Sequence, residues 1–326
     1  MFGNATDQHD TPTGGPARVV VLGGTGFVGR HVCAAFRDEH SDVIAVSRHA
    51  SSIPPGTRAL ALDLCATPPA ELARALTDGR PSVVVNAAGA VWAASEAQMV
   101  VANVKLVRCL LDGLRRATAP VRLVHLGSVN EYAPAHAGRP VHENTPTHPT
   151  TAYGQTKLRG TDLVLNAARR GDVDALVLRM ANIAGPGSPV ASLLGRVAHQ
   201  LRLAAREGRT AEIRLTPLRA ARDFVDATDA AAAVRAAARS GARARVVNIG
   251  SGRAVAVRSL VELLIKVSGV PAEIIEQPLP QGDAAAPPEC LEVDIRLARD
   301  LLGWSPHRRP EDAVADLWQD LSAPPV

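Results

Sequence analysis

The chain has 326 residues and a net charge of +4 from 36 basic and 32 acidic side chains, and its aromatic content is limited to Phe 4, Tyr 2 and Trp 3. That length supports one large core with a smaller satellite and excludes a peptide or a fibre. The basic residues are scattered and never interleave with aromatics, which argues against a nucleic-acid surface, while a modest excess of Arg suits an anionic, phosphorylated ligand.

Residues 1–17 are polar and rich in Gly, Pro, Thr and Asp, and they read as a disordered lead-in rather than a signal peptide. No stretch reaches the roughly 18 consecutive apolar residues of a membrane helix, so a protein without a membrane partner is expected. Cys33, Cys65, Cys109 and Cys290 form no C-x-x-C pair. Reduced thiols, a cytoplasmic location and no metal centre are therefore expected.

The first element is the apolar run Val19, Val20, Val21 and Leu22, which suits a parallel strand covered on both faces. It feeds the turn GGTGFVG, in which Gly23, Gly26 and Gly29 recur every three residues around Thr25, Phe27 and Val28. The first glycine permits the tight turn, the second lets a pyrophosphate approach bare backbone, and the third lets helix pack on strand. Phe27, Val28, Val32 and Phe36 then follow a helical period, so the uncapped N–H groups of a helix point at the anion. Strand, glycine turn and helix together favour a dinucleotide site over a plain packing loop.

A second strand over 42–47 ends at Ser47 and Arg48. In a dinucleotide fold this position lies beside the adenosine ribose, where an acid binds the 2′-hydroxyl of NAD. A guanidinium there suits the 2′-phosphate of NADP(H), although a surface arginine without a ligand is the plainer alternative. A third strand ends over 60–64, where Asp63 either touches the cofactor or caps the helix announced by Pro68, Pro69 and Glu71. A fourth strand begins at Val83 and runs into Asn86, Ala87, Ala88 and Gly89, whose small side chains let a cofactor lie against the backbone. Helical periodicity covers 99–116, and a fifth strand covers 121–126 before Ser128. His125, inside that strand, reads as a packed core residue.

Tyr153 and Lys157 open the next helix, and residues four apart share a face. With Ser128 they are the residue types that carbonyl reduction needs. A phenol donates the proton as hydride arrives, an ammonium one turn away lowers the phenol's pKa, and a hydroxyl polarises the same oxygen. A sixth strand covers 175–180, and the alternation of strands and helices to this point implies one open parallel sheet. Beyond 188 the pattern changes: helices over 193–207, 229–239, 257–267 and 294–302, strands over 211–215, 245–249 and 273–276, and a surface loop over 278–288.

GGTGFVG, NAAG, the S-x-x-x-Y of Ser128 to Tyr132 and the Y-x-x-x-K of Tyr153 to Lys157 resemble, in this order, the extended branch of the short-chain dehydrogenase/reductase superfamily that acts on nucleotide-sugars. The likeness runs from Arg18 to about Leu321 and includes RMANIAGPG, RDFVD, VNIGSG and DIRLARDLLGW. It implies an α/β fold: a Rossmann-type doubly wound parallel sheet over 18–187, rejoined by 222–250, with a smaller C-terminal substrate-binding domain from 188–221 and 251–326. It implies that Ser47, Arg48, Asp63, Leu64, Ala87, Ala88, Gly89, Tyr153 and Lys157 hold the cofactor and that Asn103 orders the neighbouring strand. Val129, Asn130, Asn182, Arg196 and Arg222 would meet the nucleotide-sugar.

Dehydratases of this branch carry Asp-Glu where this chain has Val129-Asn130, so they lack a counterpart here. The wording is most similar to the dTDP-4-keto-6-deoxyhexose 4-ketoreductases of deoxysugar and antibiotic biosynthesis. That implies NADPH, a dTDP-linked 4-keto-deoxysugar and a homodimer formed through helices 99–116 and 153–169. A nucleotide-sugar 4-epimerase with tightly bound NAD is the runner-up. A non-catalytic sensor would have little use for Ser128, Tyr153 and Lys157 together.

Overall fold

The computed structural model describes residues 18–38, 41–49, 53–78, 80, 82–91, 94–135, 138–277 and 290–322; the expected lead-in over 1–17 and the loop over 278–288 lie outside them. In chain order the first part runs β1 (Arg18–Leu22), α1 (Phe27–Arg37), β2 (Asp42–Ser47), β3 (Arg58–Ala61), α2 (Pro69–Thr77), β4 (Ser82–Asn86), α3 (Glu96–Val100), a π-turn (Val101–Lys105), α4 (Leu106–Leu114) and β5 (Val121–Ser128). It continues with α5 (Ala152–Arg169), β6 (Asp174–Met180), β7 (Asn182–Ala184), α6 (Leu193–Glu207), β8 (Ala211–Leu215), β9 (Ala221–Asp226), α7 (Ala227–Arg239) and β10 (Val246–Ile249). Last come β11 (Ala254–Ala256), α8 (Val257–Ser268), β12 (Ala272–Glu276), β13 (Cys290–Leu291), α9 (Arg296–Leu302) and α10 (Pro310–Ser322).

Seven strands form one parallel sheet in the order β10-β6-β5-β4-β1-β2-β3. Val19 and Val21 face a core shared with Val32 and Phe36 of α1 and Ala230 and Val234 of α7, whereas Val20 and Leu22 face Leu72, Leu76, Leu110 and Val164 on the other side. Successive strand residues point to opposite faces, so helices on both sides explain the unbroken apolar run. A second core joins α6, β8, α8 and α10 through Leu201, Ile213, Leu264 and Leu317, all fully buried. Among the described residues no helix is long and apolar enough to cross a membrane.

Several boundaries differ from those expected. β3 stops at Ala61 because Asp63 Oδ1 accepts the N–H groups of Cys65 at 2.9 Å and Ala66 at 3.2 Å, which bends the chain into a turn. The helix expected from 99 begins at Glu96, where Ser95 and Gln98 cap each other reciprocally, and it is interrupted by the π-turn at Val101–Lys105. β9 pairs with β7, β11 and β13 rather than with the large sheet, while α7 and β10 return to that sheet. Leu291, Val293, Ile295, Ala298 and Trp304, expected in the smaller unit, pack in the core of the large sheet instead. Trp304 is held there by Nε1 donating to the Asp229 carbonyl at 3.1 Å.

Two close approaches position the site. A Cβ on Gly29 would lie 2.0 Å from the Gly23 carbonyl oxygen, so only glycine lets α1 pack on its own turn. A Cβ on Gly160 would lie 2.4 Å from the Asn103 carbonyl oxygen, so α5 rests directly on the π-turn. Gly160→Ala is expected to push these helices apart and lower stability by about 1–3 kcal/mol, measured by urea unfolding; an unchanged midpoint would show that the contact gives way freely.

Candidate active site

The strand order reverses between β1 and β4, and in such sheets the crevice for ligands opens at the strands' carboxyl ends beside that reversal. Gly23, at φ +74°, turns the chain there so closely that a Cβ would lie 3.0 Å from Ala88 Cα. Above the two strand ends lies a cavity of about 930 Å³. One end is lined by Gly26, Phe27, Val28, Gly29, Ala87, Ala88 and Gly89, the middle by Asn103, Ser128, Asn130, Tyr153 and Lys157, and the far end by Asn182, Thr216, Pro217, Leu218, Arg222 and Val257. α1 begins at this wall with Gly26 as its N-cap and no side chain capping it. Its first N–H groups and positive dipole end are thus offered to the cavity, an arrangement that fits a dinucleotide's diphosphate.

Ser128 closes β5 and Tyr153 starts α5, whose N-cap Thr151 accepts the Gly154 N–H at 3.1 Å. Ser128 Oγ accepts two hydrogen bonds from Asn130, from the backbone N and from Nδ2, each at 3.2 Å. With both lone pairs engaged, the Ser128 hydroxyl can act only as a donor. Ser128 acts on the Tyr153 phenol in the direction that favours the phenolate, yet burial dominates and pushes the Tyr153 phenol up to about 12, with the negative charge of Glu131 acting in the same direction as burial. Lys157, one turn further on, donates to the Leu126 carbonyl. Burial holds its ammonium below the usual lysine range, and Glu131 opposes that.

Lys157 thus lies one turn from the phenol with its ammonium engaged by a backbone carbonyl, and burial is the largest influence on Tyr153. A phenol at that value is fully protonated at neutral pH and can supply a proton. Removing the Asn130 amide frees a lone pair on Ser128 and lets its hydroxyl rotate. Asn130→Ala is expected to lower kcat about tenfold with little change in cofactor affinity, and an unchanged kcat in steady-state assays would refute the role.

Asn103 lies in the π-turn, and its side chain donates to the Ala90 carbonyl and to Thr156 Oγ1, each at 3.0 Å, while accepting the Ala90 N–H at 3.1 Å. It ties the end of β4 to α5. His125 is 2% exposed and pairs through Nδ1 with Asn86 Nδ2 at 3.0 Å; burial and the Lys157 charge keep it neutral, as a packed core residue should be.

Eight of the sequence-derived candidates do not line the cavity. Gly23 and Thr25 lie behind its wall in the turn. Ser47 caps the end of β2 by donating to the His49 carbonyl at 2.5 Å, and Arg48 is exposed beside it. Asp63 caps the turn after β3, and Leu64 is buried below. Val129 is 2% exposed in the core with Tyr132, because the helical turn over Val129–Glu131 points it inward while Asn130 faces the cavity. Arg196 is on the outer face of α6, since Leu194, Val197, Ala198 and Leu201 take that helix's inner face.

Glu131, missed in the sequence, is the buried support of this site. It is 0% exposed and accepts from the Ser128 N–H at 2.8 Å, from Thr161 Oγ1 at 3.0 Å and from Arg179 Nε at 2.7 Å. Arg179 also stacks over the Tyr132 ring at 4.5 Å, and Tyr132 donates to Asn248 Oδ1 at 2.7 Å. The signal was legible: Ser128 and Glu131 form the S-x-x-E of a reciprocal cap. The stretch Thr216, Pro217 and Leu218 carries no comparable pattern and reaches the cavity only through the packing of the second core.

The profile of the NAD dependent epimerase/dehydratase family matches residues 19–250. The chain belongs to this family. Among its members, the chain is 44% identical to a dTDP-6-deoxy-L-talose 4-dehydrogenase (NAD(P)(+)) of Kitasatospora kifunensis over 315 residues, 97% of this chain and 99% of that protein. It is 29% identical to a UDP-glucose 4-epimerase of Streptomyces lividans over 68% of this chain and 69% of that protein. A solved structure of MoeE5 in complex with UDP-glucose and NAD superposes with a TM-score of 0.79 at 26% identity, covering 94% of this chain and 98% of that one. The seven-stranded parallel sheet is thus the family's Rossmann-like frame, and the glycine turn, the Ser128 strand end and the Tyr153 helix occupy its cleft.

Proposed function

We propose that the protein is an NADPH-dependent reductase of the C4 carbonyl of a dTDP-linked 4-keto-6-deoxyhexose. One observation carries the reading. Ser128, Tyr153 and Lys157 line one cavity that begins at the glycine turn, and among the described residues no carboxylate lines it. A cavity with one phenolic acid and no Asp or Glu suits a single proton delivered to an oxyanion, whereas dehydration calls for a carboxylate pair. The relative from K. kifunensis supports the substrate class, since a 4-dehydrogenase and a 4-ketoreductase run the same hydride transfer in opposite directions.

A nicotinamide dinucleotide held by the Gly26–Gly29 wall would supply the hydride. Tyr153 gives its proton to the carbonyl oxygen, Ser128 donates a hydrogen bond to the same atom, and Lys157 holds positive charge beside the developing phenolate. Arg222, half-buried at the far end, contributes charge for the sugar diphosphate.

Arg48 supports NADPH over NADH, because it directly follows the last residue of β2, the position beside which the 2′-phosphate would lie. Arg48→Asp is expected to raise KM for NADPH at least about tenfold and leave that for NADH nearly unchanged; an unaltered preference would overturn the cofactor choice. The decisive assay follows NADPH oxidation with a panel of 4-keto nucleotide-sugars, and no turnover of any dTDP-linked member would sink the substrate reading. The relative from S. lividans favours a second reading as a nucleotide-sugar 4-epimerase. Such an enzyme would release NAD on denaturation of the purified protein and would need no added NADPH.

A further inference from the structure

Cys65 and Cys109 stand 44 residues apart in the chain, yet their sulfurs approach to 3.2 Å, with the Cys109 thiol donating to Cys65 Sγ. Both are free thiols and half-buried, whereas Cys33 is 0% exposed. Cys65 belongs to the turn after β3, directly following Asp63 and Leu64, and Cys109 lies on α4 one turn beyond Lys105. A disulfide needs its sulfurs about 2.0 Å apart, so the pair must close by roughly 1 Å, within the reach of small side-chain rotations in an exposed turn. Burial and the neighbouring Cys109 push the Cys65 thiol up to about 12, so its thiolate is scarce at neutral pH and oxidation of the pair quickens as pH rises.

We propose that Cys65 and Cys109 are a redox modification site, forming a reversible disulfide that ties the turn between β3 and α2 to α4. With hydrogen peroxide as oxidant, one thiolate attacks a peroxide oxygen. The O–O bond breaks, and the departing hydroxide takes a proton to become water. The other sulfur then attacks the resulting sulfenic acid, forming the S–S bond and releasing a second water. Two thiols lose two electrons and two protons, and one peroxide becomes two waters. β3 belongs to the same parallel sheet as β1, so the turn at its carboxyl end opens on the sheet edge where NADPH would bind as proposed above, and the bond also weakens cofactor binding; this consequence rests on that reading, and the disulfide itself does not.

The test treats the full-length protein with hydrogen peroxide and maps its peptides without reduction. A Cys65–Cys109 linked peptide is expected, with titratable thiols falling from four to two, a Tm higher by roughly 5 °C, and reversal by dithiothreitol. Cys109→Ser should abolish the linkage and the Tm rise. Thiol loss without that peptide overturns the proposal. NADPH titrations of the reduced and oxidised forms should differ at least threefold in Kd, and equal affinities with the linkage formed overturn the coupling. Failure of the reduced protein to bind NADPH at all would instead remove the cofactor reading and leave the linked peptide standing.

Discussion

Tyr153→Phe is expected to lower turnover of the 4-keto substrate by about 10²–10⁴-fold while the protein folds normally and still binds NADPH. The substitution removes one oxygen from a side chain that lines the cavity, so little of the fold depends on it. The effect belongs to kcat, because the proton is needed only as charge develops on the carbonyl oxygen. The pH profile carries a matching expectation. Burial raises the phenol to about 12, so the acid form persists through neutrality and is lost only as pH climbs toward that value. Reduction should therefore stay level between about pH 6 and pH 9, while the reverse oxidation, which needs the phenolate, should rise across the same range. Wild-type turnover by the Phe variant would end the assignment of Tyr153 as the acid.

Glu131→Ala is expected to cost about 3–5 kcal/mol in urea unfolding, the largest stability loss predicted for a single side chain here. It strands the Arg179 guanidinium, whose side chain is 5% exposed, and leaves the Ser128 N–H and the Thr161 hydroxyl without their acceptor. Breaking a buried pair from one side is worse than removing it, so Glu131→Leu combined with Arg179→Met should recover much of the loss. Catalysis should not recover alongside stability, because Ser128 at the end of β5 still lacks the carboxylate that fixes its backbone. A single variant costing less than about 1 kcal/mol would show that the ion pair contributes little. Equal losses in the single and double variants would assign the effect to packing.

The parts of this protein that were legible in its sequence share one property: each is decided by neighbours along the chain. The apolar run of β1, the glycine spacing after it, and the four-residue step from Tyr153 to Lys157 all depend on geometry that a strand or a helix sets within a few residues. The reciprocal cap of Ser128 and Glu131 was equally local and was readable, although its burial was not. Positions whose role depends on which face of an element turns inward were harder. Val129 and Arg196 carry suitable chemistry, but the turn after β5 and the inner face of α6 direct them elsewhere.

The chain alone therefore determined the alternation of strands and helices as far as β6, the glycine cradle and the choice of the phenol, ammonium and hydroxyl as candidates. Only the tertiary structure decided the burial that raises the Tyr153 phenol, the engagement of Lys157 by the Leu126 carbonyl, the Glu131–Arg179 pair and the meeting of Cys65 with Cys109. The physical reason is that desolvation and long-range contact are sums over atoms brought together by packing. The cost of burying a charge, or the closeness of two sulfurs 44 residues apart, has no counterpart in any short stretch of sequence.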